Sequence, residues 1–495
     1  MSVELLSLAQ AEALPTPSFD WFGIAPPVVL FITALLIILM VAYKHRLGMA
    51  SWLPLATCLV GIGVSAVYTV LAWGKVINDG PYTTAGGLVD VDGMGIFFTA
   101  IVLICAGLGA LIANDYLRRE SLDRPEYFAL MLCSATGMAL MATAADLITV
   151  FLSLEILSIA LYVLAAYRSN EESSQEAGLK YFLLGSVASA IFLYGIALVY
   201  GAVGSTTLRN IAEAPADNVL YLAGISLLIV GFAFKIAAVP FHMWTPDVYQ
   251  GAPTPVVAFM ASGAKVAGFA AMTRVIVIAM HGSTDDWQPI LWVLAVASML
   301  VGAVAALSQN NVKRMLAYSS IGHAGFMLIG LQVATREGAA ATMVYLLVYA
   351  VMVLGTFGAL TYLSGPGDNA TNFEDIKGLG RRQPMMAALV AFFLFAQAGI
   401  PPSSGFMAKF GVFKAAADAE STVLVVIGVL VAAVAAFAYL RVIVAMYFQS
   451  GEGVSLPKAP AGIRIAVWAA AIFTLVMGIL PQFVLDLADR ASAIL

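Results

Sequence analysis

Long apolar runs, each closed by a short polar joint, repeat along nearly the whole chain and set the architecture before any single residue is considered. They fall at about 25–43, 51–73, 92–114, 126–144, 146–167, 177–202, 219–249, 255–280, 289–309, 312–333, 339–364, 384–415, 421–448 and 463–485. A membrane-crossing helix needs about 20 such residues. The pattern therefore predicts an all-α polytopic membrane protein of about 14 transmembrane helices, with both ends on one side. Two runs are longer than a span requires and are interrupted, the first at Pro240 and the second at Pro401 and Pro402. Proline lacks a backbone donor and strips the carbonyl four residues back of its partner. Both runs are read as discontinuous helices.

The two interrupted runs cross in opposite directions, as expected of inverted repeats with a transport site at the break. One proline taken alone reads more readily as a harmless kink. Two breaks, each with a lysine within nine residues (Lys235 and Lys409), argue for function. Composition agrees with the membrane reading: 61% of residues are hydrophobic and 11% charged, against about 45–50% apolar and about 25% charged in soluble domains. A net charge of -5 spread over loops implies no nucleic-acid partner. Cys58, Cys105 and Cys133 lie apart in apolar runs with no CxxC spacing, and read as small hydrophobes. With four histidines and no GxGxxG or P-loop, the chain shows no place for heme, iron–sulfur, flavin or nucleotide.

Sidedness follows from the cationic loops. Lys44 and Arg46; Arg118, Arg119 and Arg124; Arg168; Lys313 and Arg314; Lys377, Arg381 and Arg382; and Lys458 and Arg464 share one side, leaving Lys75, Arg209, Arg336 and Arg490 on the other. The first side is expected to be cytoplasmic, with both termini outside. Before the first run, Glu4 and Glu12 with no basic region argue against a cleaved signal peptide. Trp52, Trp73 and Trp287 stand near run ends as interfacial anchors.

The chemistry lies in charges inside the apolar runs. At a rise of about 1.5 Å per residue, Glu155 and Lys265 stand about 14 and 15 Å into their runs, and Lys235 about 24 Å into its longer one. Each central charge costs about 2.5–3.5 kcal/mol on insertion scales, so several together mark an ion pathway. Lys409 lies beyond its break toward the outer face, and Lys180 in the first turn of its helix, where snorkelling competes with function. His242, seven residues after Lys235, is either a proton relay or a hydrogen-bonded structural histidine. His323, among small hydroxyl residues, is a weaker relay candidate. Arg274 and Arg441 suit fixed counter-charges, because arginine stays protonated. A desolvated lysine releases its proton readily and a neighbouring carboxylate restores it, so movement of Glu155 relative to Lys235, hinged at Pro240, would load and unload the amine.

These residues carry a family resemblance. The stretch FKIAAVPFHMWTPDVYQGAPTPVVAFMASGAKVAGF, with NVKRMLAYSSIGHAGFMLIG and GIPPSSGFMAKF, closely resembles the antiporter-like subunits of respiratory complex I, over roughly the fourth to thirteenth runs. The resemblance implies two inverted five-helix repeats, at 126–280 and 289–448, whose broken helices are the seventh and twelfth; 1–125 precedes them and 449–495 follows. It implies roles for Glu155 as modulating carboxylate, Lys235 as central proton carrier, Lys265 as connecting lysine and Lys409 near the exit, with Lys180 and His242 accessory. Lys409, where M-type members carry an acid, and the early end of the chain, where L-type members add a lateral helix, favour the N-type branch. The implied function is proton translocation in a NADH-quinone oxidoreductase, a translocase, in the bacterial inner membrane. FMN and iron–sulfur clusters are expected in partner subunits and no cofactor in this chain; the implied partners are neighbouring membrane subunits. The alternatives are a cation/proton antiporter subunit of Mrp type and a membrane scaffold with vestigial charges.

Overall fold

The computed structural model describes residues 19–47, 50–122, 124–214, 218–451 and 458–493. The stretch holding Glu4 and Glu12, and the side chains of Lys44 and Arg46, lie outside the described residues. Helices α1 (Trp21–Leu47) and α2 (Leu53–Asp79) lead to a hairpin of β1 (Tyr82–Thr84) and β2 (Val89–Val91). There follow α3 (Gly93–Arg119), α4 (Glu126–Thr143), α5 (Leu147–Ala165), α6 (Glu172–Val203), α7 (Val219–Ile236), α8 (Trp244–Gly251) and α9 (Thr254–Ala279). The remainder comprises α10 (Thr284–Leu307), α11 (Val312–Gln332), α12 (Arg336–Leu363), α13 (Pro384–Ala398), α14 (Ser404–Asp418), α15 (Thr422–Phe448), α16 (Ala461–Ile479) and α17 (Gln482–Ala491). Among the described residues twelve helices are long and apolar enough to cross a membrane. Apart from that short hairpin, the chain is a helical, multi-span membrane protein.

Short polar residues set where many spans begin. Asp92, Asp146, Asn218, Asn311 and Thr335 each accept a hydrogen bond from a backbone N–H of the helix they precede, satisfying donors that have no intrahelical partner. Helices α9 and α12 are enclosed along their full membrane-crossing windows. The other helices shield them from lipid, so polar groups on these two can be served by protein alone. Close approach in that interior rests on small residues: a Cβ added to Gly302 of α10 would stand 2.4 Å from the backbone nitrogen of Gly322 in α11.

Both long runs are broken as the prolines foretold, though the first break starts earlier. Helix α7 ends at Ile236, and Ala237, not Pro240, turns the chain through a left-handed conformation (φ 62°). The freed groups are satisfied by side chains: the Trp244 indole donates to the Phe234 carbonyl at 3.1 Å, and the Val239 N–H donates to the Ser298 hydroxyl at 2.9 Å. That is how irregular backbone is tolerated at membrane depth. In the second break Gly399 takes the left-handed position (φ 86°) between α13 and α14.

Four expectations are corrected. Helix α6 begins at Glu172, so Lys180 lies eight residues inside it and not in its first turn. The last run is two helices, because Pro481 ends the span and starts the amphipathic α17. Trp287 is not at a lipid boundary: it is fully buried, its indole donating to the Met280 carbonyl at 2.9 Å. Lys313 is not a loop cation, since it is buried against Asp368 at 3.3 Å. A cation near a run end counts toward sidedness whether or not it meets water, and the loop pattern cannot separate the two cases.

Candidate functional site

Three buried lysines, one from each of α7, α9 and α14, occupy the interior, each beside an interruption in its helix. Lys235 is in the last turn of α7, next to the first break. Its amine donates to the Ser158 hydroxyl of α5 at 2.8 Å and lies 3.5 Å from the Tyr181 hydroxyl of α6. Tyr181 is held by stacking on Trp244, with centroids 4.5 Å apart, so the far side of the break fixes the near side's proton partner. Glu155 stands one turn before Ser158 on α5, half-buried, and accepts a hydrogen bond from Ser189 of α6. Among the described residues no ion pair joins Glu155 to Lys235; serine hydroxyls lie on each. A cavity of about 10 Å³ lies between Ser158, Ser189 and Lys235, close to the volume one water requires.

Lys265 follows a π-helical turn, Met260–Ala264, within α9; such turns are frequent at functional sites. Its amine donates to both the carbonyl and the hydroxyl oxygen of Ser320 in α11, each at 2.6 Å, and Tyr349 of α12 donates to the same hydroxyl at 2.8 Å. One turn along α9, Gly268 meets the stem of Lys235: an added Cβ would stand 3.4 Å from its Cγ. The two lysines are thus packed through one glycine.

His323 has more prominence than its sequence position suggested. It is buried, with Nδ1 sharing a hydrogen bond with the Tyr345 hydroxyl at 2.8 Å and Nε2 with the Tyr439 hydroxyl at 3.1 Å. Tyr439 in turn is 2.5 Å from the Ser319 hydroxyl. Beyond it, a second cavity of about 10 Å³ is lined by His323, Tyr439 and Lys409. Lys409 reaches back across the second break and donates to the Gln397 and Ala398 carbonyls, at 3.0 and 2.8 Å. These are the terminal carbonyls of α13, where the helix dipole is negative and a cation is favoured.

Lys180 and His242 stand apart from this interior line. Lys180 pairs with Glu176 at 2.6 Å and with Asp247 at 2.9 Å, and Asp247 also holds Arg314 at 2.6 Å. They border a polar vestibule of about 380 Å³. On its wall Asp368 accepts from the Thr254 hydroxyl and N–H as well as from Lys313. Burial would raise the Asp368 carboxyl, but Lys313 and Thr254 outweigh it and hold the group below its ordinary value. His242 is half-buried in the first break, with Nδ1 lacking a hydrogen-bond partner among the described residues, and no bond links it to Lys235. On the opposite side of the molecule Arg274 is a fixed counter-charge, 2.7 Å from Asp92 and 3.6 Å from Asp90, with its Nε donating to the Ala142 carbonyl. Burial holds the Asp90 carboxyl above its ordinary value despite Arg274. Arg441 is half-buried and bonded to the Leu307 and Gln309 carbonyls.

Ser158, Tyr181, Ser189, Ser320, Tyr345, Tyr349 and Tyr439 were not singled out from the sequence. Their one visible signal was hydroxyl residues at helical spacing from a buried charge, as with Ser158 three positions after Glu155 and Ser319 and Ser320 before His323.

An enclosed line of amines, a histidine and hydroxyls, set between broken helices of a multi-span bundle, defines the class of membrane subunits that handle charge within the bilayer. The chain belongs to the NADH:quinone oxidoreductase/Mrp antiporter transmembrane family, whose model matches residues 144–435. It is 42% identical over 476 residues, 94% of this chain and 96% of the relative, to "NADH-quinone oxidoreductase subunit N" of Trichlorobacter lovleyi. Among solved structures, a chain of respiratory complex I from Thermus thermophilus is similar at a TM-score of 0.80 and 36% identity, covering 94% of this chain and 99% of that one. A chain of the Mrp complex from Dietzia sp. DQ12-45-1b shares the fold at a TM-score of 0.84 and 20% identity, covering 95% and 97%.

Proposed function

We propose that this chain is the N-type, proton-translocating membrane subunit of a NADH-quinone oxidoreductase in a bacterial inner membrane. One observation carries the reading: Lys235, Lys265 and Lys409 are all buried, and each is placed where its helix is interrupted. An interruption supplies unpaired polar groups and room for adjustment, both of which a proton carrier needs. Each amine has two nearby hydrogen-bond partners, enough for the two N–H groups of a neutral amine. A protonated amine presents three donors and needs one partner more, which a water in the small cavities beside Lys235 and Lys409 supplies.

In this reading protons gather in the vestibule of Lys180, Asp247 and Arg314 and reach Lys235, with Glu155 setting its proton affinity by its separation. Lys265, Ser320 and the His323–tyrosine group pass charge along the bundle to Lys409, and His242 adjusts with the first break. Fourteen crossings result if α11 and the α13–α14 pair are added to the twelve apolar helices. The repeats at 126–280 and 289–448 are then inverted copies, and both termini lie outside. NADH oxidation and quinone reduction occur in partner subunits carrying FMN and iron–sulfur clusters, and this chain contributes no redox centre. The 42% identity over 94% of this chain to a relative named "NADH-quinone oxidoreductase subunit N" favours this reading over cation/proton antiport.

The test is Lys235→Ala in the intact assembly reconstituted into vesicles. NADH-driven vesicle acidification is expected to fall to background while the assembly remains complete by size and subunit content. Normal acidification by that variant overturns the proposal.

A further inference from the structure

We propose that a cation-bearing basin at the C-terminal end of α15 binds the headgroup of an anionic phospholipid whose acyl chains lie along the outer face of that helix. The basin, about 580 Å³, opens between Asn310, the segment Phe373–Lys377 and α15. Its first cation is the half-buried Arg441, seven residues before the helix end at Phe448. The guanidinium lies 4.8 Å from the Phe373 ring centroid and donates to the Leu307 and Gln309 carbonyls. Those bonds fix its plane. A guanidinium has five N–H donors, so most of them remain for an acceptor in the basin.

Lys377 is the second cation, paired at 2.6 Å with Glu374, which is itself 78% exposed. The amides of Asn310 and Gln449 complete the polar rim. Two cations against one acid leave the basin net positive, and it lies at the end of the molecule where the cationic loops gather.

Directly below, α15 presents an unpartnered apolar stripe. Val423, Val426, Leu430, Val434 and Phe437 are all exposed, at spacings of three and four that keep them on one face. From Val423 to Phe437 this stripe runs about 21 Å at 1.5 Å per residue, ample for one leaflet of a hydrocarbon core about 30 Å thick. A cationic pocket at the headgroup level above an apolar stripe of leaflet length matches a phospholipid in both polarity and dimension. Basic pockets between membrane helices on the cytoplasmic side are a recurrent mode of anionic lipid binding. A neighbouring protein helix would match the stripe but would have to bring its own carboxylate to the basin.

The intact assembly, purified in mild detergent and delipidated, is titrated with phosphatidylglycerol or phosphatidylcholine, and bound lipid is counted by native mass spectrometry. One site preferring phosphatidylglycerol is expected. Lys377→Gln should weaken it about fivefold, the factor expected for one basic side chain at a membrane surface. Glu374→Gln should tighten it by a similar factor, an effect of opposite sign that a folding defect cannot produce. Arg441→Gln should abolish the preference; if loss of its carbonyl bonds prevents assembly, the other two variants decide. Equal retention of the two lipids, or unchanged affinity in both Lys377→Gln and Glu374→Gln, overturns the proposal. So does capture of a neighbouring protein, in place of lipid, by a photoreactive side chain at position 437.

Discussion

Lys265 is held to Ser320 twice, its amine donating to the main-chain carbonyl and to the hydroxyl of that residue, each at 2.6 Å. The hydroxyl also accepts from Tyr349, so it is the junction of α9, α11 and α12. In Ser320→Ala the carbonyl contact survives and the junction is lost. A hydrogen bond to a charged group is worth about 1.5–3 kcal/mol, or roughly tenfold to a hundredfold in the population of protonated Lys265. Proton pumping per electron pair should fall by at least about tenfold with the assembly intact, measured by vesicle acidification against NADH consumption. Pumping at the normal ratio would remove Ser320 from the path.

Lys409 offers a separation of charge from proton transfer. Its contacts are carbonyls of Gln397 and Ala398, and an arginine could satisfy the same acceptors. Arginine does not release its proton in proteins. Lys409→Arg is therefore expected to assemble with thermal stability close to that of the parent yet to fail in proton translocation. Should Lys409→Arg pump at the parent rate, Lys409 is a fixed charge holding the end of α13 and not a carrier.

How far the sequence could be read divides along physical lines. Lipid imposes long apolar runs, and proline cannot hide its missing donor, so the multi-span helical character and the two breaks were legible in the sequence. Buried Lys235, Lys265 and Lys409 were legible because an ammonium among apolar neighbours is costly wherever the chain folds. Their partners were not. Ser320 lies 55 positions from Lys265, and Tyr439 lies 116 positions from His323; hydrophobic periodicity reports a helix face but not which other helix meets it. The same blindness placed Trp287 in the lipid boundary and Lys313 in a loop. The hairpin at residues 82–91 and the division at Pro481 involve too few residues to leave a periodic signal.

Asp368 and Lys313 form a buried pair at 3.3 Å, each side chain 2% exposed. Removing one charge leaves the other uncompensated, a change that costs about 3–5 kcal/mol, so Asp368→Asn should lower the unfolding midpoint measurably. The pH dependence has a defined sign. With its folded value below its ordinary one, Asp368 stabilises the fold at neutral pH, and that contribution is lost as pH falls through the folded value. The gap in thermal stability between parent and Asp368→Asn should therefore be constant near neutrality and shrink in acid. A gap that widens on acidification would contradict the assignment.

The packing of Lys235 against α9 gives the sharpest test of whether the first break and the central helix act together. An added Cβ at Gly268 would stand 3.0 Å from Ile236 and 3.4 Å from the Lys235 stem, tight enough that the neighbours must give. Overpacking of this kind costs about 1–3 kcal/mol, a strain that falls on the last turn of α7 and hence on the Lys235–Ser158 bond. Gly268→Val should leave the assembly folded but depress proton pumping severalfold, and Gly268→Ala should give an intermediate value. Gly107 of α3, where an added Cβ meets nothing within 4 Å, supplies the control, since Gly107→Val changes a membrane helix by the same atoms without touching Lys235. If both valine variants pump equally well, the contact between Gly268 and Lys235 is packing without consequence for proton transfer. If only Gly268→Val fails, the position of the Lys235 amine is set by α9, the helix that also carries Lys265.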